Sequence, residues 1–332
     1  MTARPQVIAH RGASGYHPEH TRAAYLTAIS QGADAIEPDL VFSKDGVLVI
    51  RHENEISGTT DVASRPEFSD RLTTKVVDGE ELTGWFTEDF TWAELSTLTC
   101  TERLPELRPG NAAENGKHPI LRFIDLLEIA DEAGSDFTLV VEIKHPTYFA
   151  GEGFSFEAAL TQDLFLAGWR TDDHRLVMES FEKSIIVRLR ELQIGAQHWY
   201  IMDRQHTAFD ELVWARSEGV PPISNEDEFS EAGFEAFVGR LDGIAVAWSL
   251  IWDGTPETFE AAKEKVARAQ QLGLNIVTWT MRAENEFLPL SFRSSEDPTQ
   301  QGNWTEFFQA LWGLGVNGAF SDFPDLAVRT RP

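Results

Sequence analysis

Short apolar runs alternate with helical stretches along this whole chain, and that alternation leaves few folds open. Strands are expected at residues 7–9, 35–41, 139–143, 175–179, 196–200, 243–247, 276–279 and 318–321. Eight strands separated by helices predict an α/β fold, a (β/α)8 TIM barrel with its strands parallel. Three strands are preceded by the same step, Gly32-Ala33-Asp34, Gly273-Leu274-Asn275 and Gly315-Val316-Asn317. A glycine just past a helix, then a polar residue leading into a strand, is how a helix C-terminus is closed in such units. Helix starts are legible at Thr255-Pro256, and at Thr91 and Asn303, each with a Glu three residues on. Ile185, Ile186, Leu189 and Leu192 form one apolar helical stripe.

A chain of 332 residues would suggest two domains on length alone. A barrel runs longer as one unit, so residues 1–332 are expected to be a single catalytic domain. Residues 53–119 break the repeat. They are too long for a βα loop, and they carry turn signals, a short helix near residues 91–98 and a flexible stretch at Pro109-Gly110-Asn111. They read as an insertion after the second strand, placed over the barrel mouth as a lid.

Ionisable residues gather at the ends of the first strands. Val7-Ile8-Ala9 runs into His10-Arg11-Gly12, and Glu37 and Asp39 lie two apart in the second strand, on one face of it. Two buried acids side by side repel each other and lose hydration unless a cation sits between them, and a hard divalent metal answers both costs. Ser43-Lys44-Asp45-Gly46 predicts a hairpin. A turn centred on Lys44-Asp45 pairs Glu37 with His52, and one centred on Asp45-Gly46 pairs Asp39 with His52. Taken singly, each of these groups is better explained as a satisfied core histidine or a structural ion pair. Five of them converging on strand ends favour function.

The constellation resembles the glycerophosphodiester phosphodiesterase family. The family's motifs stand here as His10-Arg11-Gly12, Pro18-Glu19-His20-Thr21, Glu37-Pro38-Asp39, His52-Glu53, Glu142-Ile143-Lys144, Trp279-Thr280 and Ser321-Asp322-Phe323-Pro324, in order along almost the whole chain. His20 stands where Asn is usual, Glu53 where Asp is common, and Met281-Arg282 where an apolar residue and Asn are more usual. The resemblance implies a metal-dependent TIM-barrel enzyme that hydrolyses glycerophosphodiesters to sn-glycerol 3-phosphate and an alcohol. A lipid phosphodiesterase of the lysophospholipase D or sphingomyelinase type on the same fold is the neighbouring reading. A non-catalytic phosphate-binding barrel is the reading from another class, and it would require a missing catalytic residue.

Active sites of such barrels lie at the C-terminal ends of the strands. An all-oxygen set of Glu37, Asp39 and Glu142 suits one divalent cation, Mg²⁺ or Ca²⁺, with Mn²⁺ also accommodated. Arg11 and Lys144 supply charge for phosphoryl oxygens. A dialkyl phosphate needs a base for the incoming hydroxyl and an acid for the departing oxygen, and His10 and His52 suit that pair. Trp279 is expected either to pack on the glycerol carbons or to fill the core. His17-Pro18-Glu19-His20 has the composition of a zinc-protease box but the wrong spacing, and Gly151-Glu152-Gly153 lacks the setting of a dinucleotide loop.

Charge narrows the partners. With 28 basic and 54 acidic residues the net charge is −26, which repels nucleic acid and anionic lipid at long range. The expected partner is a small glycerophosphodiester, with neither nucleic acid nor membrane insertion. Cys100 is the only cysteine, so no intramolecular disulfide is possible. No run nears the roughly 18 continuous apolar residues of a membrane span, and the first strand begins too early for a signal peptide. A cytoplasmic location is the expectation.

Overall fold

The structure is a computed structural model, and it describes residues 4–134, 137–169, 175–204 and 207–332. The strands are β1 (Gln6–His10), β2 (Ala35–Glu37), β3 (Asp39–Phe42), β4 (Leu48–Ile50), β5 (Thr73–Val77), β6 (Glu80–Gly84), β7 (Thr138–Ile143), β8 (Leu176–Ser180), β9 (Gln197–Met202), β10 (Gly243–Ala247), β11 (Asn275–Met281) and β12 (Gly318–Ser321). Parallel pairing runs β1–β2–β7–β8–β9–β10–β11–β12 and back to β1, closing the expected barrel. β2 and β3 are two halves of one stave. Pro38 has no N–H to give the ladder, so pairing breaks there and resumes between Asp39 and Glu142.

Alternation along the staves divides the core in two. Ile8, Ala35, Val140, Val177, Trp199, Ala245, Val277 and Phe320 fill the barrel interior. Their neighbours in sequence, such as Val7, Ala9, Leu139, Val141, Leu176 and Met178, pack outward under the helices. Each fully buried aliphatic or aromatic side chain contributes ~1.5–3 kcal/mol by leaving water. Two residues beyond the interior layer the same inward register reaches His10, Glu37, Glu142, Glu179 and Asp322. The apolar plug therefore ends where the polar layer begins.

Gly32, Gly273 and Gly315 have φ of +85°, +88° and +82°, the left-handed closure read from their spacing. Thr91 caps the helix Trp92–Leu95 in a reciprocal box with Glu94. Other local expectations differ from the structure. Asn303 and Thr255 make no side-chain cap bond, and the Thr255 hydroxyl turns to Asp253 instead. Leu192 follows the last turn of its helix and is 60% exposed, so the stripe ends at Leu189.

Residues 53–119 hold more order than their sequence suggested. β5 and β6 form a hairpin around Asp78-Gly79, both at positive φ, the Asp-Gly turn favoured between antiparallel strands. Pro109-Gly110-Asn111 opens a helical turn, Pro109–Ala112, with proline at its first position, where the flexible stretch was expected. Phe86 and Phe90 are fully buried within the segment and pack it from inside. No helix among the described residues is long and apolar enough to cross a membrane.

Candidate active site

The His10-Arg11-Gly12 loop turns sharply because Arg11 and Gly12 are both left-handed, at φ +59° and +84°. A Cβ on Gly12 would stand 2.7 Å from the Ala24 carbonyl carbon, so only glycine fits against that helix. The turn brings the Arg11 backbone N–H to the Glu37 carboxylate, at 2.7 Å. Glu37, Asp39 and Glu142 offer carboxylate oxygens that lie within 4.8 Å of one another, all three buried.

His52 reaches the same place in a register that neither two-residue turn foresaw. Leu40 pairs with Ile50 and Phe42 with Leu48, which sets His52 opposite Pro38, between the two predicted partners. The loop has three residues, Lys44-Asp45-Gly46, with Gly46 at φ +80°, and the odd count shifts the pairing by half a step. His52 still arrives beside the acids, and its Nε2 accepts a hydrogen bond from Lys144 Nζ at 3.2 Å.

Both histidines are held by carboxylates at Nδ1. His10 Nδ1 lies 2.7 Å from Asp322 Oδ1, and His52 Nδ1 bonds Glu53. Nε2 of His10 carries no carboxylate among the described residues, and Nε2 of His52 stands beside Lys144. Burial, reinforced by Arg11, brings His10 down to about 4 against the pull of Asp322. Burial together with Arg11 and Lys144 brings His52 down to about 3. Both rings are neutral around pH 7.

Lys144, expected as a point charge for a phosphoryl oxygen, is already engaged by carboxylates. Its ammonium donates to Glu142 at 2.7 Å and stands 3.7 Å from Asp39. Arg11 donates to Glu19 at 2.9 Å, with its Nε 3.6 Å from Asp39. Burial pushes the carboxyls of Glu37, Glu142 and Glu179 up. Asp39 feels the same burial, but Lys144, His52 and His20 more than offset it and hold it well below the usual carboxylate range. Four acids crowd beside two cations, and burial drives three of them toward the neutral form unless a further cation joins them. Asp39 Oδ1 is buried with no hydrogen-bond partner. An orphaned carboxylate oxygen in an all-oxygen set is what a hard divalent cation would satisfy, so these residues fit one.

The half-open cleft above is lined by His10, Arg11, Glu37, His52, Glu142, Glu179, Phe181, Ile201, Ala245, Trp279 and Phe320. One wall is charged and the other apolar, which suits a small molecule with an anionic head and a carbon body. Trp279 is partly buried, donates through Nε1 to the Ala245 carbonyl and meets Phe181 edge-on at 5.8 Å.

Several participants escaped the sequence reading. Glu179 pairs in register with Glu142, and Leu176-Val177-Met178-Glu179 repeats the pattern of Leu139-Val140-Val141-Glu142. That repeat was the available signal. His20 is fully buried and bridges Asp39 Oδ2 and the Tyr25 hydroxyl, at 2.8 and 2.7 Å. Its place in the motif was visible but its reach to Asp39 was not. Asp322 did not escape it: its motif placed it near the site, and there it gathers His10, Arg108 and Arg282 on one carboxylate.

A parallel barrel whose mouth gathers carboxylates, two histidines, an arginine and a lysine into one cleft is built for phosphate-ester chemistry. The chain belongs to the glycerophosphoryl diester phosphodiesterase family, whose model matches residues 10–326. A glycerophosphodiester phosphodiesterase of Arabidopsis thaliana is 32% identical over 335 residues, spanning 97% of this chain and 85% of the relative. One from Haemophilus influenzae is 26% identical over 340 residues, spanning 97% and 88%. An Oleispira antarctica phosphodiesterase, solved in complex with the product sn-glycerol-3-phosphate, is similar in fold with a TM-score of 0.60 at 21% identity, over 98% of this chain and 96% of that one. A glycerophosphodiester phosphodiesterase from Agrobacterium tumefaciens has a TM-score of 0.58 at 18% identity, over 98% and 99%.

Proposed function

We propose that this enzyme hydrolyses water-soluble glycerophosphodiesters to sn-glycerol 3-phosphate and an alcohol, with one divalent cation and a His10–His52 acid/base pair. The observation that carries the reading is the convergence of Glu37, Asp39 and Glu142 within 4.8 Å, with two carboxylate-held histidines at the same cleft. Glu37, Asp39 and Glu142 would hold Mg²⁺ or Ca²⁺, with Mn²⁺ also suited to the oxygen set. When bound, the cation supplies Lewis-acid polarisation of the phosphoryl group.

The protein's own groups do the rest. Arg11, in the left-handed turn after β1, offers a guanidinium edge to a phosphoryl oxygen. Lys144 keeps its proton, because Glu142 and Asp39 outweigh the effect of burial. It therefore stays a cation beside the reacting centre. One histidine takes the proton of the attacking hydroxyl at Nε2. The other enters the step as the imidazolium, a minor form at pH 7, gives its Nε2 proton to the departing alkoxide, and is re-protonated between turnovers as the first sheds the proton it gained. Each such transfer is worth ~10²–10⁴ in rate. Phe181 and Trp279 line the apolar wall, where the glycerol carbons would lie. Residues 53–119 would serve as the lid, reaching the rim through Glu102, Arg103, Leu104 and Arg108.

Release of choline from glycerophosphocholine tests this directly, measured with and without chelator and after adding back Mg²⁺, Ca²⁺ or Mn²⁺. Activity that vanishes with chelator and returns with metal is the expected result. Full activity in protein shown to be metal-free would refute the metal site.

A further inference from the structure

We propose that Arg103 and Arg108, both on the inserted segment, are positioning residues for the two histidines, each clamping the carboxylate that holds its histidine's Nδ1. The inference rests on His10 and His52 being the acid/base pair. Arg103 donates to both oxygens of Glu53, through Nη1 at 2.8 Å and Nη2 at 2.6 Å, and Glu53 bonds His52 Nδ1. The same guanidinium grips Glu19 through Nε and Nη2, at 2.8 and 2.7 Å, and Glu19 in turn accepts from Arg11. Arg108 donates to Asp322 Oδ2 at 2.7 Å, while Asp322 Oδ1 takes His10 Nδ1. Its other nitrogens go to Glu284 and to the Ser14 carbonyl, at 2.8 and 3.0 Å. Each histidine thus has a carboxylate behind it, and each carboxylate has an arginine from the same turn behind it.

That turn is itself fixed. The N–H groups of Leu107 and Arg108 both return to the Leu104 carbonyl, which sets the spacing between the two arginines. Glu102 N–H donates to Asn115, and the Asn111 amide donates to the Ser14 carbonyl at 3.0 Å, tying the turn to the loop after β1. A side chain that merely anchored the segment would need one partner. Arg103 and Arg108 instead commit forked guanidinium groups to the carboxylates that set the ring orientation of His52 and His10. Orientation of both rings would then depend on one short piece of the insertion, and the acid/base pair would be coupled to the seating of that piece.

The test is Arg103→Gln and Arg108→Gln, each beside its Lys counterpart, with kcat, KM, their pH profiles, and the ring ¹⁵N titrations of His10 and His52 by NMR. Glutamine keeps one hydrogen bond and removes the charge that partly neutralises the carboxylate. Arg103→Gln should lower kcat about tenfold with KM within about threefold, and should move the His52 titration and its kinetic limb to higher pH. Arg108→Gln should do the same for His10, and each Lys variant should recover part of the shift. Loss of thermal stability with unmoved histidine titrations would overturn the proposal, as would a rise in KM alone, which would make the arginine a substrate contact. The NMR titration is read without substrate, so it decides the clamp even if the wild-type enzyme proved inactive on glycerophosphodiesters, a result that would count against the function proposed above.

Discussion

Asp322→Asn should separate the orientation of His10 from the structural role of one buried carboxylate. Asp322 is 1% exposed and accepts from three donors: His10 Nδ1 at 2.7 Å, Arg108 Nη2 at 2.7 Å and Arg282 Nε at 2.8 Å. Asparagine offers one carbonyl oxygen and a pair of N–H donors: with the oxygen turned to Arg108 and Arg282, which share Oδ2, the amide N–H faces His10 Nδ1, and both arginines lose this counter-charge. Breaking a buried ion pair costs ~3–5 kcal/mol. The lower end applies here, because Arg108 keeps Glu284 and the Ser14 carbonyl, while Arg282 has a side chain 25% exposed and can turn to water. For a chain of 332 residues, about 3 kcal/mol corresponds to a fall in Tm of roughly 4 °C at ~2.1 cal/mol/K per residue. The kinetic effect should be larger. An amide N–H facing Nδ1 favours the proton on Nε2, the tautomer that cannot accept a proton from the cleft. Loss of one acid/base contribution lowers kcat by ~10²–10⁴ with KM little changed. Choline release should be followed at 20 °C, with folding confirmed by circular dichroism and Tm by calorimetry. A folded variant with kcat within threefold of wild type would refute the orientation argument outright.

His10→Ala and His52→Ala should each cut turnover by at least ~10²-fold, and the double variant should be scarcely worse than the worse single, because the two act as a unit. Near-normal turnover of either single variant would return that histidine to a structural role. Because the folded rings are depressed to about 4 and 3, the neutral form survives as pH falls. The acid limb of kcat/KM should therefore have its midpoint below the unperturbed imidazole value of ~6.5, and a pH–rate profile with the midpoint at or above that value would contradict the burial argument. Glu142→Gln removes one of three clustered acids and should weaken Mn²⁺ binding at least tenfold by calorimetry while far-UV circular dichroism stays unchanged; unaltered affinity would remove Glu142 from the set. Glycerophosphocholine should be turned over with a higher kcat/KM than lysophosphatidylcholine, since a net charge of −26 and the charged rim residues Glu102, Arg103 and Arg108 give an acyl chain little apolar surface to lie on; the reverse order in matched choline-release assays would favour a lipid phosphodiesterase.

The staves of the barrel were legible because burial on both faces leaves a parallel strand little choice but an apolar run, and each such run here is set off by turn residues. The glycine steps at Gly32, Gly273 and Gly315 were legible because backbone closure at positive φ selects one residue type. The site was legible wherever it followed from strand period: Glu37 with Asp39, and Glu142 after Val140. Glu179 obeyed the same rule in the next stave and was missed only because no second charged residue followed it. Register at His52 failed for a local reason, since a three-residue loop and a two-residue loop differ by half a step and both suit Lys44-Asp45-Gly46. The roles of His20, Arg103 and Arg108 were out of reach of any local rule. Their partners lie 19, 50 and 214 residues away along the chain, and only the closed barrel puts them in contact.

This difference has a physical order to it. The carboxylates and histidines sit on strand ends, so their positions follow from the same alternation that fills the barrel: Ile8 below His10, Ala35 below Glu37, Val140 below Glu142. The groups that aim and tune them come from loops and from the insertion, whose hydrogen bonds are specific but carry no period. Arg51 is the clearest case. It is a fully buried arginine on the hairpin, donating to the carbonyls of Ile50, Thr59 and Glu19 at 3.0 Å each, and so pinning the start of the insertion against the loop that carries Glu19. Glu19 then receives Arg11 and Arg103. A chain of charged hydrogen bonds thus runs from the scaffold to the histidines, through residues whose individual sequence contexts are unremarkable. The barrel decides where the reacting groups stand, and this network decides how firmly they point.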